Sequence, residues 1–206
     1  MFVAVRCRCC RRLFRCVGGG PTPRTCPECI VLQRAPRSPN PRASVAYDGP
    51  VRHVVADVKY RSRRQVAKAL AARLVADIEA DRDSPVFDIV TWAPTSSRRA
   101  TARGFDQSEL VARFVARRLN VRCRRLLERS RGPAQTGRSR ADRLRGPVFR
   151  SRPLPRAVNV LVIDDVVTTG ATFAAAAHAL RLAGAREVHT RAVAATPDRR
   201  RVRPNV

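Results

Sequence analysis

VLVIDDVVTTGAT, residues 160–172, decides the fold. Val160 to Ile163 form, with the preceding "AVN", a near-continuous apolar run. Such a run marks a strand buried on both faces of a parallel sheet, because helices cover a parallel sheet above and below. At the expected end of this strand come two adjacent acids, Asp164 and Asp165, and then Thr168, Thr169, Gly170, Ala171 and Thr172. As the chain leaves the sheet, both carboxylates can turn toward one ligand. The small residues lead into an Ala-rich helix, "ATFAAAAHALRLAGA", whose amino terminus offers free N–H groups and a positive dipole end. Gly170 lets the backbone approach an anion closely, and the threonines add hydroxyl donors. The arrangement predicts a phosphate cradle beside two acceptors, which suits a sugar phosphate. It is not a P-loop, since the Gly-x-x-x-x-Gly-Lys spacing and its lysine are absent.

The elements around this stretch predict an α/β domain. "SRRQVAKALAARLVADIEA" places Val66, Leu70, Leu74 and Ile78 at helical spacing and predicts a helix over residues 62–80. "FDIVTWAP" reads as a buried strand ending at Pro94, followed by a basic loop at the strand's carboxyl end, where α/β folds bind ligands. Asp106 is a cap candidate for a helix carrying Leu110, Phe114 and Leu119 on one face, with Glu109 three residues beyond the cap. Gly184 is placed as the glycine just past the last helix, and "REVHTRAVAAT" returns as a strand. The segment from about Arg129 to Arg145 reads as a mobile excursion over the surface.

The chain of 206 residues is long enough for one such domain and a small appendage. The expected organisation is a cysteine-rich module and proline-rich extended linker over residues 1–45, the α/β domain over 46–196, and a disordered basic tail over 197–206. Six of the seven cysteines fall in the first 29 residues. Cys7-x-x-Cys10 and Cys26-Pro-Glu-Cys29 give four thiolates at a spacing suited to tetrahedral, structural Zn²⁺ in a ribbon-like module. Cys9 and Cys16 are spare, and either could replace Cys7 or Cys10. No apolar run reaches the length of a membrane span or a signal peptide, so the expected location is the cytoplasm, without membrane insertion.

The formal charge is +26, and of the basic residues only Lys59 and Lys68 are lysine. A field of this size attracts polyanions such as nucleic acid. A solvated basic face in a chain from a GC-rich coding background accounts for the same composition. One Trp and two Tyr give no obvious platform for stacking single-stranded bases.

Over all thirteen positions, VLVIDDVVTTGAT resembles the phosphoribosyl pyrophosphate signature of the type I phosphoribosyltransferases. The resemblance implies that Asp164 and Asp165 hold the ribose 2′- and 3′-hydroxyls, and that Val166, Val167, Thr168, Thr169, Gly170, Ala171 and Thr172 form the loop that holds the 5′-phosphate. Three further stretches resemble the competence protein F (ComF) family. They match through Tyr47, Gly49, Lys59 and Tyr60; through Pro94, Arg103, Gly104, Phe105 and Gln107; and through Gln135, Arg143 and Phe149. Asp106 departs from that pattern, which more often has Asn. Arg98, Arg99 and Arg103, on the loop after "DIVTWAP", carry guanidinium forks suited to pyrophosphate. The resemblance implies transfer of phosphoribose to an acceptor, with Mg²⁺ held through the substrate. A second implied reading is a non-catalytic competence protein that engages single-stranded DNA and partner proteins, with the sugar-phosphate site regulatory.

Overall fold

The computed structural model describes residues 2–17, 23–57, 63–95, 105–130 and 147–197. Arg98, Arg99, Arg103, Gly104, Lys59, Tyr60, Gln135 and Arg143, all of the excursion read over 129–145 except Arg129 and Ser130, and the tail from residue 198 lie outside the described residues.

Five strands form one parallel sheet in the order β3–β9–β8–β4–β5. They are β3 (Ala43–Ala46), β4 (Ile89–Trp92), β5 (Arg122–Cys123), β8 (Asn159–Val167) and β9 (Glu187–Ala195). The apolar run takes the centre, and Val160, Leu161, Val162 and Ile163 are fully buried between β4 and β9. One face of the sheet is covered by α3 (Arg63–Ala80) and α4 (Gln107–Leu119), which pack on Val90, Trp92, Leu161 and Ile163. The other face carries α5 (Ala171–Leu182) and a small antiparallel ribbon of β6 (Leu127–Arg129) and β7 (Phe149–Ser151). Phe173, Leu180, Leu127 and Phe149 close that second core over Val160 and Val162.

The helices follow their sequence signals with one correction. Val66, Leu70, Leu74 and Ile78 are all buried, and so are Ala67, Ala69, Ala71 and Val75, because α3 is covered on several sides at once. In α4 the buried stripe is Val111, Ala112, Val115 and Ala116, and Leu110, Phe114 and Leu119 flank it half-buried. Small residues face the sheet here, allowing α4 to lie close against β4 and β8, while the larger side chains fill the edges. Gly184 adopts φ +94° just beyond α5, as a helix-ending glycine does.

The proline-rich stretch is not a plain extended linker. Asn40 accepts from Arg42 N at 3.0 Å and makes a turn; Ser38 N then bonds Ser44 O and Ala46 N bonds Pro36 O. The chain folds back on itself, and β3, which straddles the boundary read at residue 45, adds to the sheet beside β9. The amino-terminal module consists of the hairpin β1 (Phe2–Arg6) and β2 (Leu13–Val17) with helix α1 (Pro27–Arg34). Cys7, Cys10, Cys26, Cys29 and Leu32 share one continuous core with α3. Arg12 ion-pairs with Glu28 and reaches Gln65 of α3. From the other side, Arg73 donates to Leu32 O and Arg118 donates to Cys9 O, both at 2.7 Å. Among the described residues no helix is long and apolar enough to cross a membrane. The remaining helix, α2 (Gly49–Asp57), buries Val51, Val54 and Val55.

Candidate functional site

Asp164 and Asp165 sit inside β8 rather than at its end. Val166 and Val167 are β-branched and pair with Ala194 and Ala195, so the strand runs two residues further than the acids. The neighbouring β4 stops earlier. Ala93 N makes the last bond to Ile163 O, and beyond that point Asp165 N–H, without a β4 partner, donates to Asp164 Oδ1 at 2.8 Å. Val166 N donates to Asp165 Oδ1 at 2.8 Å.

The side-chain alternation also breaks at the acids. Leu161 and Ile163 face the α3–α4 core while Val160 and Val162 face the α5 core; past the pair, Val166 packs with the first core and Val167 with the second. A regular strand would send two adjacent carboxylates to opposite faces. The change of phase falls between Ile163 and Val166, across the two acids. The side-chain partner of Asp164 arrives from α4. Ser108 Oγ donates to Asp164 Oδ1 at 2.8 Å, and Ser108 is itself held by the cap of its helix. Burial first, and the adjacent Asp165 carboxylate second, push the Asp164 carboxyl well above its usual range.

Asp106 occupies the position predicted for it. Its Oδ1 accepts from Ser108 N at 3.0 Å and Glu109 N at 3.4 Å, and its Oδ2 accepts from Thr95 N at 2.8 Å. One carboxylate thus caps α4 and ties it to the start of the basic loop after β4. Burial raises its pKa, opposed by those three N–H groups. Where Asn offers one oxygen, Asp offers two, and both are used.

The cradle begins at Gly170, which caps α5 with φ +78°. No side chain caps the helix, so its first-turn N–H groups face outward; Ala171 N lies 3.4 Å from Thr169 Oγ1, a long hydrogen bond. Thr168 and Thr169 are exposed, while Ala171 and Thr172 are half-buried. A β-carbon on Gly170 would stand 3.5 Å from the Arg42 guanidinium. Neither Arg42 nor Ser108 carries a signal in the sequence. Arg42 lies in the proline-rich stretch, and Ser108 looks like an ordinary first-turn residue.

The four predicted cysteines come together. The Cys7, Cys10, Cys26 and Cys29 sulfurs are buried and lie within 4.8 Å of one another, positioned to hold a metal ion. Cys10 Sγ and Cys26 Sγ are 3.7 Å apart. That is close to the edge of a tetrahedron with zinc–sulfur bonds of about 2.3 Å, and well beyond a disulfide bond. The first knuckle turns through Arg11 at φ +63°, and the second is built on the start of α1, where Cys26 is the cap and Pro27 the first residue. Hydrogen bonding from the Cys26 thiol, and then from Cys29, pulls the Cys10 thiol down to about 4, while Cys29 is pushed up as their donor. The spare cysteines stand apart: Cys9 accepts from Gln33, and Cys16 donates to Val3 O.

Residues 106–205 match the phosphoribosyl transferase domain family. The chain is 32% identical over 150 residues to the DNA utilization protein YhgH of Salmonella typhi, covering 69% of this chain and 66% of that protein. The protein of the same name from Escherichia coli K12 is 29% identical over the same shares. The match therefore spans about two thirds of those relatives' length. Among solved structures, the allosteric regulatory enzyme of purine biosynthesis aligns with TM-score 0.42 and 23% identity, over 75% of this chain and 31% of that one. Adenine phosphoribosyltransferase from Thermoanaerobacter pseudethanolicus aligns with TM-score 0.40 and 16% identity, over 64% and 82%. The chain belongs to the ComF-like proteins of the phosphoribosyltransferase fold.

Proposed function

We propose that the chain binds phosphoribosyl pyrophosphate at the carboxyl end of β8 and transfers the phosphoribosyl group to an acceptor, with release of pyrophosphate. The observation that carries this reading is the break in strand alternation at Asp164 and Asp165, one short turn from an uncapped helix amino terminus. The two carboxylates accept from the ribose 2′- and 3′-hydroxyls. The N–H groups of Ala171 and Thr172, with the threonine hydroxyls, receive the 5′-phosphate, and the Arg42 guanidinium beside Gly170 adds a positive charge there. Val167 belongs to the core, so the open part of the loop is Thr168 to Thr172.

Adjacent carboxylates beside a polyphosphate suit Mg²⁺ held largely through substrate oxygens. When bound, the ion offsets the charge of the departing pyrophosphate. The protein's share is positioning: Ser108 and the Asp165 N–H fix the Asp164 carboxylate, and Asp106 holds α4 against the loop that follows β4. Arg98, Arg99 and Arg103 are proposed for the pyrophosphate. Heat-denaturation midpoints with phosphoribosyl pyrophosphate and Mg²⁺, followed by a screen of acceptors for pyrophosphate release, test the reading. A raised midpoint together with release for at least one acceptor is expected; no shift at saturating ligand contradicts it.

The cysteine cluster is proposed as a structural zinc site. All four sulfurs are buried, which leaves no open position for catalysis. A second reading draws on the relatives' name, DNA utilization protein: the chain also handles DNA, with the sugar-phosphate site as its catalytic or regulatory partner.

A further inference from the structure

The arginines of this chain are not spread evenly. A groove of about 1010 Å³ lies against the amino-terminal ends of β4 and β8 and the edge at β5, and six of its eighteen lining residues are arginine. One wall follows β5 and carries Arg122, Arg124 and Arg125; the other follows β7 and carries Arg150, Arg152 and Arg156. All six are exposed, and none makes an ion pair or a side-chain hydrogen bond among the described residues. The groove's two acids offset only part of this charge and leave the lining strongly positive. Asp88 accepts from Asn159 N at 2.8 Å, and Glu128, opposite Arg150 across the β6–β7 ribbon, forms no ion pair among the described residues.

Both walls are anchored. Arg124 N donates to Val90 O and Leu126 N to Thr91 Oγ1, while Leu154 N donates to Ala183 O at 2.8 Å. Leu126 and Leu154 tuck into the second core beside the arginines of their walls. In Arg152-Pro153-Leu154-Pro155-Arg156, two prolines fix the backbone and hold the flanking arginines apart along the rim. Six unpaired guanidiniums on two fixed walls face one concavity, where low-dielectric surroundings focus their field. None of the residues lining this groove belongs to the site at Asp164–Thr172, which lies at the opposite end of the strands, ~13 Å along β8 from Val160.

We propose that this groove binds the phosphate backbone of single-stranded nucleic acid. The proposal rests on the DNA-handling reading above and gives it a surface separate from the sugar-phosphate site. A concave channel with cations on both walls surrounds a flexible chain of phosphates, whereas a rigid duplex presents its phosphates on a convex surface that meets only the rim. The groove's one aromatic residue, Phe87, is buried, so bases are not stacked, and recognition is of the backbone and indifferent to sequence.

The test is fluorescence anisotropy of a labelled oligothymidylate with the full chain. Replacing Arg124, Arg150 and Arg152 together by Ala should weaken binding by about tenfold or more and flatten the log–log salt dependence by about 0.7 for each phosphate that is no longer neutralised. Removing the same charge at Arg34, Arg52 and Arg64, exposed residues outside the groove, should change affinity by less than about threefold. Binding of phosphoribosyl pyrophosphate should survive the groove substitutions, so failure here is distinguishable from failure of the sugar-phosphate reading. The proposal is overturned if the wild-type chain does not bind the oligonucleotide, if the two triple variants weaken binding equally, or if a duplex of the same length binds more tightly than the single strand.

Discussion

The cysteine cluster and the acidic pair both crowd groups of like charge, and they solve the problem in opposite ways. Four thiols from two knuckles meet in a closed, buried pocket whose sulfurs have chiefly one another as neighbours. Two carboxylates adjacent in sequence stay half-buried where the side-chain alternation of β8 changes phase, and the protein supplies their partners: Ser108, the Asp165 N–H and the Val166 N–H. The first arrangement is positioned to close around a metal ion. The second leaves the acids half-exposed, which the proposed binding of ribose hydroxyls requires.

That contrast predicts different responses to mutation. The largest effect belongs to the cysteines: Cys26→Ser should abolish stoichiometric metal in the purified chain and cost more than about 4 kcal/mol of stability, the scale reached when a structural metal is lost. Elemental analysis and chemical denaturation check this, and a chelator should reproduce it in the wild type. Because the module shares its core with α3, unfolding should remain a single transition rather than the separate loss of a tail.

At the acids, removal of charge should stabilise the fold while harming binding. Burial and Asp165 raise the Asp164 pKa, so the folded chain holds that proton more tightly than the unfolded chain does. Stability from this group is therefore present at acid pH and is lost as pH rises from about 4 through the raised folded-state value. Asp164→Asn keeps an oxygen for Ser108 and removes the penalty. The variant should melt above the wild type at pH 7, with the difference closing toward pH 4; melting curves across that range check it, and a constant difference would contradict it.

Smaller effects follow for the supports. Ser108→Ala should cost about 1 kcal/mol, the net worth of one hydrogen bond, and weaken sugar-phosphate binding by several-fold through a less well held Asp164. Asp106→Ala should cost about 1–2 kcal/mol, the helix cap together with the tie to Thr95 N, while Asp106→Asn should cost about half as much, because Asn caps helices as well as Asp does but has no second oxygen for Thr95 N. Thermal and denaturant unfolding of the two Asp106 variants gives the comparison.

The parts of this molecule legible in its sequence are those written contiguously. The apolar run of β8, the helical spacing in α3, the Asp106 cap and the paired Cys-x-x-Cys turns each state their geometry over a few residues. The rest depends on tertiary packing. The buried face of α4 departs from its large-residue periodicity because the small residues Ala112 and Ala116, rather than the largest ones, meet the sheet. The extra two residues of β8 come from pairing with β9, and β3 forms from a short stretch among prolines because an open sheet edge awaits it. Arg42 and Ser108 reach the site from distant segments, and the arginine groove is assembled from three of them, around residues 88, 124 and 152.

The central claim is that the acidic pair and the following turn hold a phosphorylated ribose. Calorimetric titration of the full chain with phosphoribosyl pyrophosphate, in Mg²⁺ and again after chelation, tests it directly when repeated on Asp165→Asn. Saturable binding that requires Mg²⁺ and falls at least about tenfold in the variant, about 1.4 kcal/mol, is the expected result. Unaltered affinity in Asp165→Asn, or no binding by the wild type, would contradict it.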